Sequence, residues 1–168
     1  MEMVDPVTLA GVDPGTLLLL PDKIGKEGRA LYRDDNAGLV KTIRAEGASL
    51  EFAWPRDRRA YVSEFGAGEV IAAVTLGVVG NFTTDVIRYM YRIVQFRVAA
   101  ALGRPVLDGQ EIDEVVTFKV ARFESSPQRR VIEGLECSGP VSGVIDLIKS
   151  LVDSEVESFD GEPDGQSE

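Results

Sequence analysis

The sequence predicts an α+β domain with a mixed sheet. The sheet begins as a strand–helix–strand unit, ends as a β-hairpin, and is covered by long apolar helices and a C-terminal amphipathic helix. Three observations carry this. Thr16–Leu20 and Ala48–Trp54 read as strands flanking a helical pattern of about a dozen residues, the order of a βαβ crossover. After Gly103 the apolar period changes to two, with Val116, Phe118 and Val120 alternating with Thr117, Lys119 and Ala121. From Val141 onward the apolar residues return to helical spacing, at Val144, Ile145, Ile148, Leu151 and Val152.

The elements follow in order. Residues 1–14 read as an arm, 15–152 as one domain, and 153–168 as a disordered acidic tail with little to bury. Thr16-Leu-Leu-Leu-Leu20 is a short apolar run between Gly15 and Pro21, suited to a strand buried on both faces. Asp22–Tyr32 is ambiguous, because Gly25 and Gly28 interrupt any helix. Asp34 or Asp35 is placed to cap a helix through Leu39, Val40 and Ile43 that stops at Gly47. Arg56–Gly68 reads as a polar loop.

The densest apolar run, Val70–Val79, is expected to be a buried helical segment, broken near Gly80-Asn81. Thr83 or Thr84 then caps a second helix, in which Asp85, Arg88, Arg92 and Gln95 form one polar stripe. Asp108-Gly109 signals a turn next to a short strand at Val106, and Ser125–Gln128 a hairpin turn. Pro140 suits the first position of the last helix.

Composition excludes several jobs. The chain has no histidine and one cysteine. Nucleophilic triads with a histidine base and His/Cys zinc sites are therefore out. Cys137 has no intramolecular partner and reads as a small buried residue, which suits a reducing, cytoplasmic setting. A net charge of −10 argues against nucleic acid and anionic membranes as partners. Met1–Pro6 has neither a basic start nor a cleavage site, so no secretion signal is expected. Gly66-Ala-Gly68 before Glu69 lacks the third glycine of a dinucleotide fingerprint and reads as packing or hinge. No cofactor and no metal site is expected.

Two candidate binding surfaces remain. Trp54-Pro-Arg56-Asp-Arg58-Arg59 is the one basic cluster in an acidic chain, and Trp and Arg are enriched at binding hot spots. Arg88 and Arg92 lie on the exposed stripe of the long helix. The bland alternatives are a core Trp54 and arginines paired within the chain. Three functions follow in order of preference: an adaptor that binds another protein, a small-ligand binder or enzyme working with arginines and carboxylates, and a membrane-associated protein using residues 70–79. The fifteen uncharged residues from Val70 to Thr84 fall short of the ~20 a spanning helix needs. A symmetric dimer, with a second copy covering half of the apolar run, is another way to bury it.

The order of elements resembles the effector-associated constant component type 1 domains of bacterial conflict systems. The stretches that carry the likeness are Thr16–Leu20, Ala37–Glu46, Ser49–Trp54, Gly66–Val98, Val115–Phe123 and Arg130–Val152. It is architectural and covers most of residues 16–152. Asp22–Tyr32 and Gly103–Asp113 depart from it as extra length. The resemblance implies a non-catalytic partner that couples a sensor or protease to an effector, and it carries no functional residues with it.

Overall fold

A computed structural model describes residues 12–63, 70–107, 109–123 and 131–159. Its main sheet has five strands in the order β4-β1-β6-β7-β8, where β1 is Leu17–Leu19, β4 Leu50–Phe52, β6 Val70–Val79, β7 Val115–Phe123 and β8 Val131–Pro140. A second sheet has the order β2-β3-β5, from Lys23–Ile24, Ala30–Arg33 and Arg59–Val62. Helices α1 (Asn36–Ala45), α2 (Thr84–Leu102) and α3 (Val141–Phe159) form one layer on the main sheet. In that layer α1 lies against β4 and α2, α2 against β6 and α3, and α3 against β7 and β8. The fold is α+β with mixed sheets, as the sequence predicts.

The opening unit forms as expected: β1 and β4 pair in parallel, Leu17 opposite Leu50 and Leu19 opposite Phe52. The leucines of β1 are at most 2% exposed, so the strand is buried on both faces. Gly47 ends the helix region with φ +103°, a left-handed conformation that glycine adopts without steric cost. Asp35 holds the N-cap position of α1, but its carboxylate makes no capping bond. It accepts instead from Arg97, at 2.8 Å.

Val70–Val79 is the main correction. It is the central strand of the main sheet, antiparallel to β1 and parallel to β7, and not a helix. A continuous apolar run carries no period, so spacing alone cannot separate a doubly buried strand from a core helix. The β-branched content of Val70, Ile71, Val74, Thr75, Val78 and Val79 decides it, because such side chains suit a pleated surface. Ala72, Val74, Leu76, Val78 and Val79 are buried within the chain itself, so a second copy is not needed to cover them. Among the described residues no helix is long and apolar enough to cross a membrane.

Gly80, with φ +90°, turns the chain out of β6. The Thr83 hydroxyl then accepts from the Val86 amide at 3.2 Å and starts α2 as expected. Helix α2 is the crossover between the parallel strands β6 and β7, and β7 returns antiparallel as β8, with Phe118 opposite Cys137.

Smaller expectations also shift. The ambiguous segment and the polar loop supply β2, β3 and β5, with Arg56–Arg58 as a single 3₁₀ turn before β5. No strand forms at Val106, and Pro140 ends β8 rather than opening α3. Helix α3 continues to Phe159, past the expected end of the domain at 152. Val156 and Phe159 extend the helical spacing of its apolar residues there. Gly66–Glu69, the Ser125–Gln128 turn and residues 160–168 lie outside the described residues.

Candidate functional site

The basic cluster after β4 folds against α1 and β5. Strand β4 ends at Phe52, and after Pro55 residues Arg56–Arg58 make a 3₁₀ turn in which the Arg58 amide donates to the Pro55 carbonyl at 3.0 Å. This turn presents Arg56 and Arg59 to the same space as Lys41 and Arg44, which stand three residues apart on α1. An open groove of about 640 Å³ results, floored by Val40, Phe52 and Trp54 and walled by these four cations, Glu51 and Tyr61.

Its aromatic side is organised. Tyr32 and Phe52 meet edge-to-face with centroids 5.1 Å apart, and Phe52 and Tyr61 do so at 6.4 Å. The Arg59 guanidinium lies 4.1 Å from the Phe52 ring centroid and donates to the Tyr61 hydroxyl at 3.2 Å. Arg58 sits 4.6 Å from the Trp54 ring. Trp54 itself is only 6% exposed, so it is chiefly core and shows the groove one edge. Beneath it, the buried Tyr32 hydroxyl donates to the Leu19 carbonyl at 2.9 Å, and burial pushes the phenol upward from its ordinary value.

The charges of the groove do not cancel. Lys41, Arg44, Arg56 and Arg59 line it with a single carboxylate, Glu51. None of the four forms an ion pair among the described residues. Arg44 donates through Nε to the Leu50 carbonyl at 2.6 Å, a neutral acceptor.

The other expected residues lie elsewhere. Arg88 is exposed and pairs with Asp85 at 3.3 Å along its own helix. Arg92 grips Glu46 along one edge of the guanidinium, Nε donating to Oε2 at 3.1 Å and Nη2 to Oε1 at 2.6 Å, while Nη1 donates to Gln95 at 2.8 Å. That clamp ties α2 to the end of α1, and the bond from Arg92 holds the Glu46 carboxyl below its ordinary value. Neither residue borders the groove. Cys137 is a free, half-buried thiol in β8.

Sequence reasoning missed a second polar feature. Arg97 of α2 is 2% exposed, donates through Nη1 to Asp35 at 2.8 Å, and bonds through Nη2 to Asn36 Oδ1. Burial raises Asp22 beside it and lowers Arg97 itself. The available signal was one charge, Arg97, inside the apolar stretch Phe96–Leu102. Among the described residues no group of histidine, cysteine and carboxylate side chains could hold a metal.

No family model, curated protein or solved structure matches this chain. The groove must therefore be read from its own chemistry. Carboxylates with displaced pKa values, Asp22 and Glu46, are not among its lining residues. It offers concentrated positive charge and aromatic surface, which suit recognition of an anionic group.

Proposed function

We propose that the protein is a non-catalytic interaction module that binds an acidic segment of a protein partner in the groove between α1, β4 and β5. One observation carries the reading: four cations, none in an ion pair among the described residues, converge on an aromatic surface in a chain of net charge −10. Like charges brought together without counter-ions cost stability, and a bound carboxylate-rich segment relieves that cost. The adaptor role implied by the resemblance to conflict-system domains agrees with this chemistry. Arg56 and Arg59 of the expected surface line the groove, with Arg58 stacked behind them on Trp54.

Lys41 and Arg56 are exposed and unpaired among the described residues, so reversing them tests the groove without disturbing the core. Lys41→Glu/Arg56→Glu is expected to weaken binding of an acidic peptide about 100-fold while leaving the melting temperature essentially unchanged. Titration followed by the fluorescence of Trp54, the only tryptophan, measures this directly. Equal affinity in the folded double variant would exclude the groove. Preference for a small polyanion over the peptide would instead favour the ligand-binding function.

A further inference from the structure

We infer that the occupant of this groove is an extended acidic peptide that adds as a fourth strand beside β5. The inference rests on the groove reading above and adds the conformation of the partner.

Strand β5 ends the order β2-β3-β5, so one side pairs with β3 and the other is an edge. The pairing with β3 is parallel, and the Val62 carbonyl accepts from the Asp34 amide at 3.2 Å. Successive residues of a strand aim their amide and carbonyl groups at opposite sides. Ala60 and Val62 therefore serve β3. Tyr61 aims both its N–H and its C=O outward, as does the Arg59 carbonyl, while the Arg59 N–H is already held by the Arg56 carbonyl. Such an edge is a template for another strand.

The competing edge is β4. The Ser49 carbonyl and the Ala53 amide bond to β1, so Leu50 and Phe52 face outward there. Arg44 already occupies the Leu50 carbonyl. At β5 the outward groups of Tyr61 have no such cover among the described residues, and Tyr61 is 46% exposed.

Side-chain direction supplies the charge requirement. Arg59 and Tyr61 are two residues apart and share one face of β5. A strand added about 4.8 Å away would place every second side chain on that face. Acidic residues at alternate positions then meet the Arg59 guanidinium, the Tyr61 hydroxyl and Arg56. Four residues of edge give few backbone bonds, so the cations supply much of the affinity and fix which face the acids take. A one-residue slip would turn the acids away.

The probe is a capped hexapeptide of alternating glutamate and valine, titrated into the full chain with Trp54 fluorescence and calorimetry. In an extended peptide all the glutamate amides point to one edge and all the valine amides to the other. N-methylation is introduced at one set or the other. Methylating one set is expected to weaken binding at least about tenfold, and methylating the other to change it little, because only one set bonds to β5. Equal losses, or no loss from either set, would overturn strand addition and leave an anion groove. Failure of the unmethylated peptide to bind at all would remove the groove reading and this inference together.

Discussion

Arg97→Ala is expected to lower the stability of the domain by about 3–5 kcal/mol, the cost of breaking a buried ion pair from one side. Arg97 is the largest of the fully buried side chains and bridges α2 to the start of α1. Truncation leaves the Asp35 carboxylate and the Asn36 carbonyl without their donor and opens a cavity in the helix layer. Arg97→Met keeps most of the volume while removing the charge. It is expected to lose less, because the stem of arginine contributes packing as well as charge. Urea unfolding of the two variants separates the terms. Equal losses would place the cost in the charge, whereas near-wild-type stability for Arg97→Ala would show that the network contributes nothing.

The same network makes stability depend on pH in a stated direction. Burial is the main cause raising Asp22 above its ordinary 3.8, against the opposing pull of Arg97 and Arg33. Folding thus favours the neutral carboxyl. That contribution is complete below 3.8 and is lost as pH rises through the raised folded value. Glu46 runs the other way. Its lowered carboxyl adds stability above its ordinary 4.5 that is lost as pH falls through the folded value, and its place at the surface keeps the contribution small. Asp22→Asn is expected to steepen the fall in stability on acidification, because it removes a contribution that opposes it. An unchanged pH profile would show that Asp22 is as solvated in the fold as in the open chain.

What the sequence reveals and what it conceals differ by the kind of signal. Strand β7 and the apolar stripe of α3 are legible because one face is buried and one wet, which writes a period into the chain. Thr83 before α2 is legible because capping is local chemistry. Val70–Val79 is not, since apolar residues at consecutive positions leave no period to read. Strands β2, β3 and β5 escape because two to four residues are too few to show one. For the site, the charge contrast of Arg56–Arg59 singles out a loop that lines the groove. Lys41 and Arg44 could not be added to it from sequence, because their place beside the loop depends on the parallel pairing of β4 with β1 and on α1 lying over β4. Arg88 and Arg92 carry the same charge at helical spacing, yet both have carboxylate partners, Asp85 along the same helix for Arg88 and Glu46 at the end of α1 for Arg92.

Val74→Asp is expected to unfold the domain, and Thr75→Asp is expected to be tolerated. The two sites are adjacent in β6 but point to opposite faces of the sheet. Val74 is 1% exposed in a core shared with Phe118 of β7, its partner in register. A carboxylate there has no donor, and an unpaired buried charge costs on the order of 5 kcal/mol, comparable with the ~5–15 kcal/mol that holds a whole domain. Thr75 is half-buried on the other face and stands opposite Lys119. An aspartate at that position shares Lys119 with Glu136, which already pairs with it at 3.6 Å, a contact worth a few tenths of a kcal/mol and about enough to offset the poorer strand propensity. Circular dichroism melts of the two variants decide between strand and helix for this segment. In a helix buried all round, both substitutions would meet apolar neighbours and both would unfold the chain. In the central strand of this sheet, only the first does.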